Sequence, residues 1–273
     1  MTVPQLTLSD GNTIPQLGIG VWQISTDDIV PAVTTALETG YRHIDTAAIY
    51  KNEEGVGQAI AQSGIDRKDL FVTTKLWNNR HSDARVALEE SLTKLGLDYV
   101  DLYLIHWPVP EQNKRLEAWS ALEQAQADGL VKSLGVSNFR ESDLYELAKH
   151  ASVRPVVNQI ELHPTFTQVE LSADNARYGA VTQAWSPLGR AHDLENPTVT
   201  QIAERIGRTP AQVVLRWHLQ AGRIVFPKSA TESRIRENFQ VFDFALSDGD
   251  MAAISGLNTD NRIGPHPMDL GAE

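Results

Sequence analysis

HIDTAAIY, residues 43–50, begins as a short apolar run with strand character but reaches an aspartate at position 45 and a tyrosine at position 50. An apolar run that would bury itself on both faces has no local use for a carboxylate at its end. The same form recurs along the chain, in LGIGVW (17–22), YRHID (41–45), LFVTTKL (70–76), YVDLYLIH (99–106), SLGVSN (133–138), VVNQIEL (156–162), AVTQAWS (180–186) and RIVFPKS (223–229). Between these runs lie longer segments whose apolar residues return at three- and four-residue spacing, so strands alternate with helices.

The helical segments have recognisable ends. In SDARVALEESLTKLG, Ser82 is placed to cap the first turn, Val86, Leu88, Leu92 and Leu95 supply apolar surface, and Gly96 stops the helix. In NKRLEAWSALEQAQADG, Leu116, Trp119 and Leu122 form a stripe and Gly129 follows the end. QLTLSDGNTIPQ predicts a hairpin turned at Asp10 and Gly11, a lid for the bottom of a barrel. SDGDMAAISGL predicts an extra C-terminal helix, and NRIGPHPMDLGAE a tail.

Strands and helices in alternation form either an open doubly wound sheet or a closed barrel. A nucleotide-binding open sheet carries GxGxxG after its first strand, and GIGVWQ lacks the third glycine. The 273 residues fit the length of about 250 usual for a (β/α)₈ barrel. The predicted fold is therefore α/β, a (β/α)₈ TIM barrel with an N-terminal β-hairpin and an extra C-terminal helix and tail. No long polar linker divides residues 1–273, so one domain is expected.

Composition narrows the function. The chain is 41% hydrophobic and 22% charged, with no apolar stretch of about twenty residues, which excludes a membrane span. The start MTVPQLTLSDG lacks a basic end followed by an apolar core, so no secretory signal is expected and the cytoplasm is the expected location. There is no cysteine, so disulfides, thiolate metal sites and cysteine nucleophiles are excluded. A net charge of −11 opposes nucleic-acid binding. The histidines show no metal-ligand spacing, and no metal is expected.

In a barrel the chemistry lies at the carboxyl ends of the strands. There the runs deliver Trp22, Asp45, Lys75, His106, Ser137 with Asn138, Gln159, Trp185 with Ser186, and Lys228 with Ser229. Each alone has an ordinary explanation as a cap, a surface charge or a hydrogen-bonded side chain. Neighbouring strands, however, bring Asp45, Lys75 and His106 into one basin below Tyr50. A tyrosine hydroxyl, with a reference pKa of about 10, becomes a useful acid when a cation stabilises its phenolate. Lys75 can supply that cation, and Asp45 can provide the opposite charge that keeps it protonated. His106 holds a carbonyl oxygen. The set suits carbonyl reduction, in which a proton reaches oxygen while hydride reaches carbon.

At these residues the chain resembles the aldo-keto reductase superfamily. HIDTAAIYKNEEGVG, TTKLW, YVDLYLIHWP, GVSNF, VNQIELHP, AWSPLG and FPKS with RIREN match family motifs in family order, from about Leu17 to Asn238. The short loop after His106 and the short tail are more similar to those of bacterial members like the 2,5-diketo-D-gluconate reductases than to those of mammalian members with long loops. The resemblance implies a tetrad of Asp45, Tyr50, Lys75 and His106, with Tyr50 the general acid, and NADPH or NADP⁺ lying across the rim. It implies that Trp185 stacks on the nicotinamide and that Ser137, Asn138 and Gln159 hold the carboxamide. Ser186 and Leu188 would line the pyrophosphate, Lys228, Ser229 and Arg234 the 2′-phosphate, and Glu237 and Asn238 the adenine end. Trp22, Ile49, Trp77, His106 and Trp107 would face the substrate. No family pattern matches Arg190 to Pro197.

The expected activity is NADPH-dependent reduction of small aldehydes and ketones by a cytoplasmic monomer, with keto-sugars and diketones among the candidate substrates. Two alternatives stay open: a Schiff-base aldolase using Lys75, and an NADPH-binding barrel module with little turnover.

Overall fold

The computed structural model describes residues 3–271. The chain opens with a hairpin, β1 (Gln5–Thr7) against β2 (Thr13–Pro15). Then follow β3 (Ile19–Gly20), β4 (His43–Asp45), β5 (Phe71–Leu76), β6 (Val100–Ile105), β7 (Val131–Ser137), β8 (Val157–Glu161), β9 (Val181–Trp185) and β10 (Ile224–Val225). These eight pair in parallel and in chain order. Across the seam Leu17 bridges Val225 and Gly20 bridges Lys228, so the sheet closes. Gly18 N–H donates to the Val225 carbonyl at 2.8 Å there, and Val225 N–H to the Gln16 carbonyl at 3.0 Å. The expected (β/α)₈ barrel is the fold.

The two strands at the seam are shorter than their apolar runs. Pro227 has no N–H for the ladder, so β10 ends early and the rest of its run joins by single bridges. Gly20 is required at this seam. A Cβ added there would sit 2.6 Å from the Phe226 carbonyl oxygen and 3.2 Å from its ring. Gly20→Ala is therefore expected to lower stability by about 2 kcal/mol or more. A fall in the urea midpoint with unchanged m-value checks this, and an unchanged midpoint contradicts it.

The helices around the barrel are α1 (Ile29–Thr39), α2 (Glu53–Gln62), α3 (Ala84–Leu95), α4 (Arg115–Ala127), α5 (Glu141–His150) and α6 (Val169–Arg177). They continue with α7 (Pro197–Ile206), α8 (Pro210–Gln220), α9 (Glu232–Phe239) and the added C-terminal α10 (Asp248–Ser255). Between β9 and β10 two helices stand where the alternation needs one. α8 shows how sequence starts such a helix: Thr209 Oγ1 accepts the Gln212 N–H at 3.3 Å, Gln212 Oε1 accepts the Thr209 N–H at 3.0 Å, and Pro210 fills the first position.

Two details of α3 differ from the sequence reading. Ser82 does not cap it, because residues Asn78–Asp83 wind as a 3₁₀ turn and Asp83 takes the position before Ala84. Val86 is exposed rather than packed. It lies two residues from buried Leu88, roughly 200° around the helix, on the opposite face. Leu88, Leu92 and Leu95 are buried, and Gly96 ends α3 at φ 64° as expected.

The hairpin closes the bottom. Gly11 turns at φ 87°, and buried Leu8 and Ile14 pack with Phe71, Leu102, Leu104, Val156, Val157 and Ile224. Ser133 Oγ of β7 donates to Asp10 Oδ2 at 2.7 Å, which fixes the lid to the barrel wall. With that end filled by side chains, the opposite mouth is left for chemistry.

Candidate active site

β4 and β5 pair with Asp45 opposite Thr73, which leaves Lys75 two residues further toward the carboxyl rim. Lys75 is 0% exposed and donates to Asp45 Oδ1 at 2.6 Å and to the Thr46 carbonyl at 2.8 Å. Its Nζ lies 3.5 Å from the Tyr50 hydroxyl. Tyr50 ends a 3₁₀ turn (Ala48–Tyr50), and Lys51 turns the chain away at φ 56°. Asn52 anchors this loop, since its Nδ2 donates to the Val21 carbonyl at 2.9 Å and its Oδ1 accepts Thr46 Oγ1 at 3.1 Å. The loop that carries Tyr50 is thus bound to the end of β3.

His106 follows β6, with its ring centroid 5.9 Å from that of Tyr50 and 5.2 Å from that of Trp77. Burial, with Lys75 nearby, pushes its pKa well below the ordinary histidine value, so the imidazole is neutral. Its Nδ1 is buried without a partner. The remaining nitrogen is the one that can bond a molecule in the cavity. Tyr50 moves the other way: burial raises its pKa above 10.0, against the lowering by Lys75, and the phenol is fully protonated at neutral pH. Burial opposes the charge on Lys75, but Asp45 and Tyr50 outweigh it and raise its pKa.

The carboxylate of Asp45 is held on its second side too. Gln159 Nε2 donates to Asp45 Oδ2 at 2.8 Å and to Gln183 Oε1 at 2.9 Å. Asn138, at φ 63°, donates to the His106 carbonyl at 3.0 Å and accepts Trp185 Nε1 at 2.8 Å. Ser137 Oγ donates to the Gln159 carbonyl at 2.8 Å. These bonds lock the floor and fix the Trp185 ring.

A cavity of about 440 Å³ opens over these groups. Of the residues named from sequence, Trp22, Asp45, Ile49, Tyr50, Trp77, His106, Trp107, Ser137, Asn138, Gln159, Trp185, Ser186 and Lys228 line it. Lys75 is sealed behind Asp45. Leu188, Ser229, Arg234, Glu237 and Asn238 do not line it. Leu188 packs on the core, Ser229 Oγ accepts the Thr231 N–H at 3.1 Å, and Glu237 accepts Thr209 Oγ1 at 2.8 Å. Asn238 is buried in α9, and Arg234 stands exposed in the first turn of that helix.

The sequence reading missed Gly20, Val21, Gln23 and Pro187, and also Arg190, Phe226, Pro265 and Leu270, which line the cavity too. Arg190 places its guanidinium 5.5 Å from the Trp22 ring centre. Its backbone is left-handed at φ 49°, as are those of Gln23 and Ser186, so strained backbone gathers at this rim. A second cavity of about 520 Å³ is a surface cleft beside the hairpin, outside the packed bottom layer and bordered by the exposed Lys68, Asp69 and Lys132, at the far end of the barrel from these groups.

A protonated phenol, a neutral imidazole and a buried ammonium below an aromatic cavity can bind a carbonyl oxygen and protonate it. The same geometry opposes a Schiff base. Lys75 is fully buried, hydrogen-bonded and charged, and so has no free lone pair.

Fold and rim together define a barrel enzyme with its site at the carboxyl ends of the strands. Residues 15–259 match the model of the Aldo/keto reductase family. The chain is 49% identical over 268 residues to methylglyoxal reductase DkgA of Escherichia coli K12, covering 97% of this chain and 98% of that one. An aldo/keto reductase of Brucella melitensis is 55% identical, with a TM-score of 0.91 over 94% of this chain and all of that one. One from Bombyx mori, solved in complex with NADP, is 40% identical with a TM-score of 0.92, over 97% of this chain and 96% of that one. The chain belongs to the aldo/keto reductase family.

Proposed function

We propose that this chain, as one barrel domain, is a monomeric cytoplasmic NADPH-dependent reductase of small aldehydes and ketones. The observation that carries the reading is the protonated Tyr50 hydroxyl 3.5 Å from the buried Lys75 ammonium, beside neutral His106. The relative named methylglyoxal reductase supports dicarbonyls as the first substrates to assay. Net charge of −11 supports a site free of nucleic acid, and among the described residues no helix is long and apolar enough to cross a membrane.

The residues fit the cofactor. The chain carries 35 acidic against 24 basic residues, yet Lys228 and Arg234 form no ion pair among the described residues. Two unpaired cations, one on the cavity and one at a helix start, suit a phosphate monoester. Trp185 would face the nicotinamide, with Ser137, Asn138 and Gln159 at its carboxamide and Ser186 and Leu188 along the pyrophosphate. Lys228, Ser229 and Arg234 would hold the 2′-phosphate, and Glu237 and Asn238 the adenine end. When bound, NADPH supplies the hydride.

The chain's own residues do the rest. A carbonyl oxygen enters between Tyr50 and His106, where the imidazole N–H donates a hydrogen bond and the phenol donates its proton as charge develops on oxygen. Lys75 stabilises the phenolate formed, and Asp45 with Gln159 keeps Lys75 charged and placed. Trp22, Ile49, Trp77 and Trp107 exclude water from the reacting carbon.

NADPH consumption across aldehydes, ketoses and diketones tests the proposal. Turnover of at least one class is expected; cofactor binding without turnover would establish a binding module instead. Arg234→Ala is expected to weaken NADPH roughly ten- to hundredfold while leaving NADH nearly unchanged, from the loss of a charge-assisted bond. Fluorescence titration with both cofactors checks it, and equal weakening removes Arg234 from the 2′-phosphate.

A further inference from the structure

Beside the cavity, and outside the tetrad, three buried charged side chains stand in a row. Glu161 ends β8 and turns its carboxylate to the C-terminal tail: Ile263 N–H donates to Oε1 at 2.6 Å and Gly264 N–H to Oε2 at 3.0 Å. His163 Nε2 lies 3.2 Å from the same Oε1, and its Nδ1 lies 2.9 Å from Asp193 Oδ2. All three side chains are at most 3% exposed. Asp193 also accepts Thr165 Oγ1 at 2.8 Å and packs so closely on Gly189 that a Cβ there would lie 2.4 Å from Oδ2.

The row joins two coverings of the cavity. Asp193 belongs to the 189–195 segment, which carries Arg190 to the rim above Trp22. Glu161 holds the tail, which carries Pro265 and Leu270 into the cavity wall and seats Gly264 against the edge of Trp185. Nδ1 also lies 3.1 Å from Thr165 Oγ1, whose proton goes to Asp193 Oδ1, so with a carboxylate oxygen at each ring nitrogen the imidazolium is the form that donates to both.

We propose that Glu161, His163 and Asp193 form a latch that ties the tail to the 189–195 segment, so that the two coverings loosen together, with His163 a positioning residue for cofactor release. The inference rests on NADPH and the carbonyl sharing this cavity. Loss of the His163 proton leaves a lone pair against one carboxylate and opens that side of the latch.

The groups facing His163 set its direction. Burial opposes its charge, but Asp193 of the 189–195 segment and Glu161 of β8 outweigh it and raise the pKa. Arg262 of the tail stands behind Glu161 at 3.7 Å, and His218 of α8 is held neutral by burial. A raised folded pKa means the latch is complete below the ordinary histidine value of 6.5 and is lost as pH rises through the folded value. The coverings therefore loosen toward alkaline pH.

The test uses the absence of cysteine. Met268→Cys, at a 43% exposed tail position, takes a single fluorescent label whose anisotropy reports tail mobility in the full chain. His163→Gln and Asp193→Ala are each expected to free the label, although neither residue hydrogen-bonds to the tail among the described residues, and to speed NADPH dissociation roughly tenfold. A label as rigid in Asp193→Ala as in the parent overturns the coupling. Should either variant fail to fold, the labelled parent is titrated from about pH 6 to about pH 10. Rising mobility supports the latch, and a flat profile refutes it. Mobility is read without cofactor or substrate, so the latch and the reductase reading fail separately.

Discussion

Tyr50→Phe is expected to lower kcat for carbonyl reduction by about a hundredfold to ten-thousandfold, the range for losing a general acid. The substitution removes one hydroxyl and leaves the ring against His106 and Lys75. Burial holds the phenol protonated through neutral pH, so the native enzyme has its proton in place and its reduction rate stays level there. NADPH affinity is expected to change little, because Lys228 and Arg234, the cations proposed for its 2′-phosphate, lie on β10's run and α9, away from the loop that carries Tyr50. Steady-state kinetics with a cofactor titration distinguish the outcomes. A large loss of NADPH affinity, or near-native kcat, ends the assignment of Tyr50 as proton donor.

Lys75→Met should cost more than catalysis. Without the ammonium the phenolate has no counterion, and a loss of roughly a thousandfold in kcat follows from removing one preorganised electrostatic partner. Asp45, 2% exposed, is then a buried carboxylate without its cation, which costs about 3–5 kcal/mol of stability. The raised pKa of Lys75 means the pair stabilises fold fully below 10.5 and loses that contribution only as pH climbs through the folded value. Adding Asp45→Asn to Lys75→Met is expected to restore much of the stability and none of the activity. Chemical denaturation of the single and double variants decides this, and a single variant as stable as the parent contradicts the buried-pair account.

The barrel was legible because its strands are buried on both faces. Runs such as YVDLYLIH and LFVTTKL have few polar interruptions, and the polar residues at their carboxyl ends, His106 and Lys75, belong to the candidate site. Boundaries were less legible at the seam, where Pro227 cuts the ladder short. Val86 shows a limit of counting apolar residues: phase around the helix, not hydrophobicity, decides which way a valine faces. The floor of the cavity comes from strand ends and could be named in advance. Arg190, Pro265 and Leu270 come from segments without periodicity, and their place depends on long-range ties through Glu161 and Asp193 that spacing does not encode. Phe226 carried a usable signal, since it stands at the end of a strand run beside Lys228.

The hairpin and the tail occupy opposite mouths of one cylinder. A fusion partner, affinity handle or surface tether attached ahead of Leu6 would hang below the sealed end, some distance from substrate traffic. The same attachment after Leu270 would sit against the reaction chamber, where bulk would compete with whatever enters. Immobilised preparations of this enzyme should therefore be oriented by the leading end, and a comparison of the two orientations would measure how far the trailing segment governs entry.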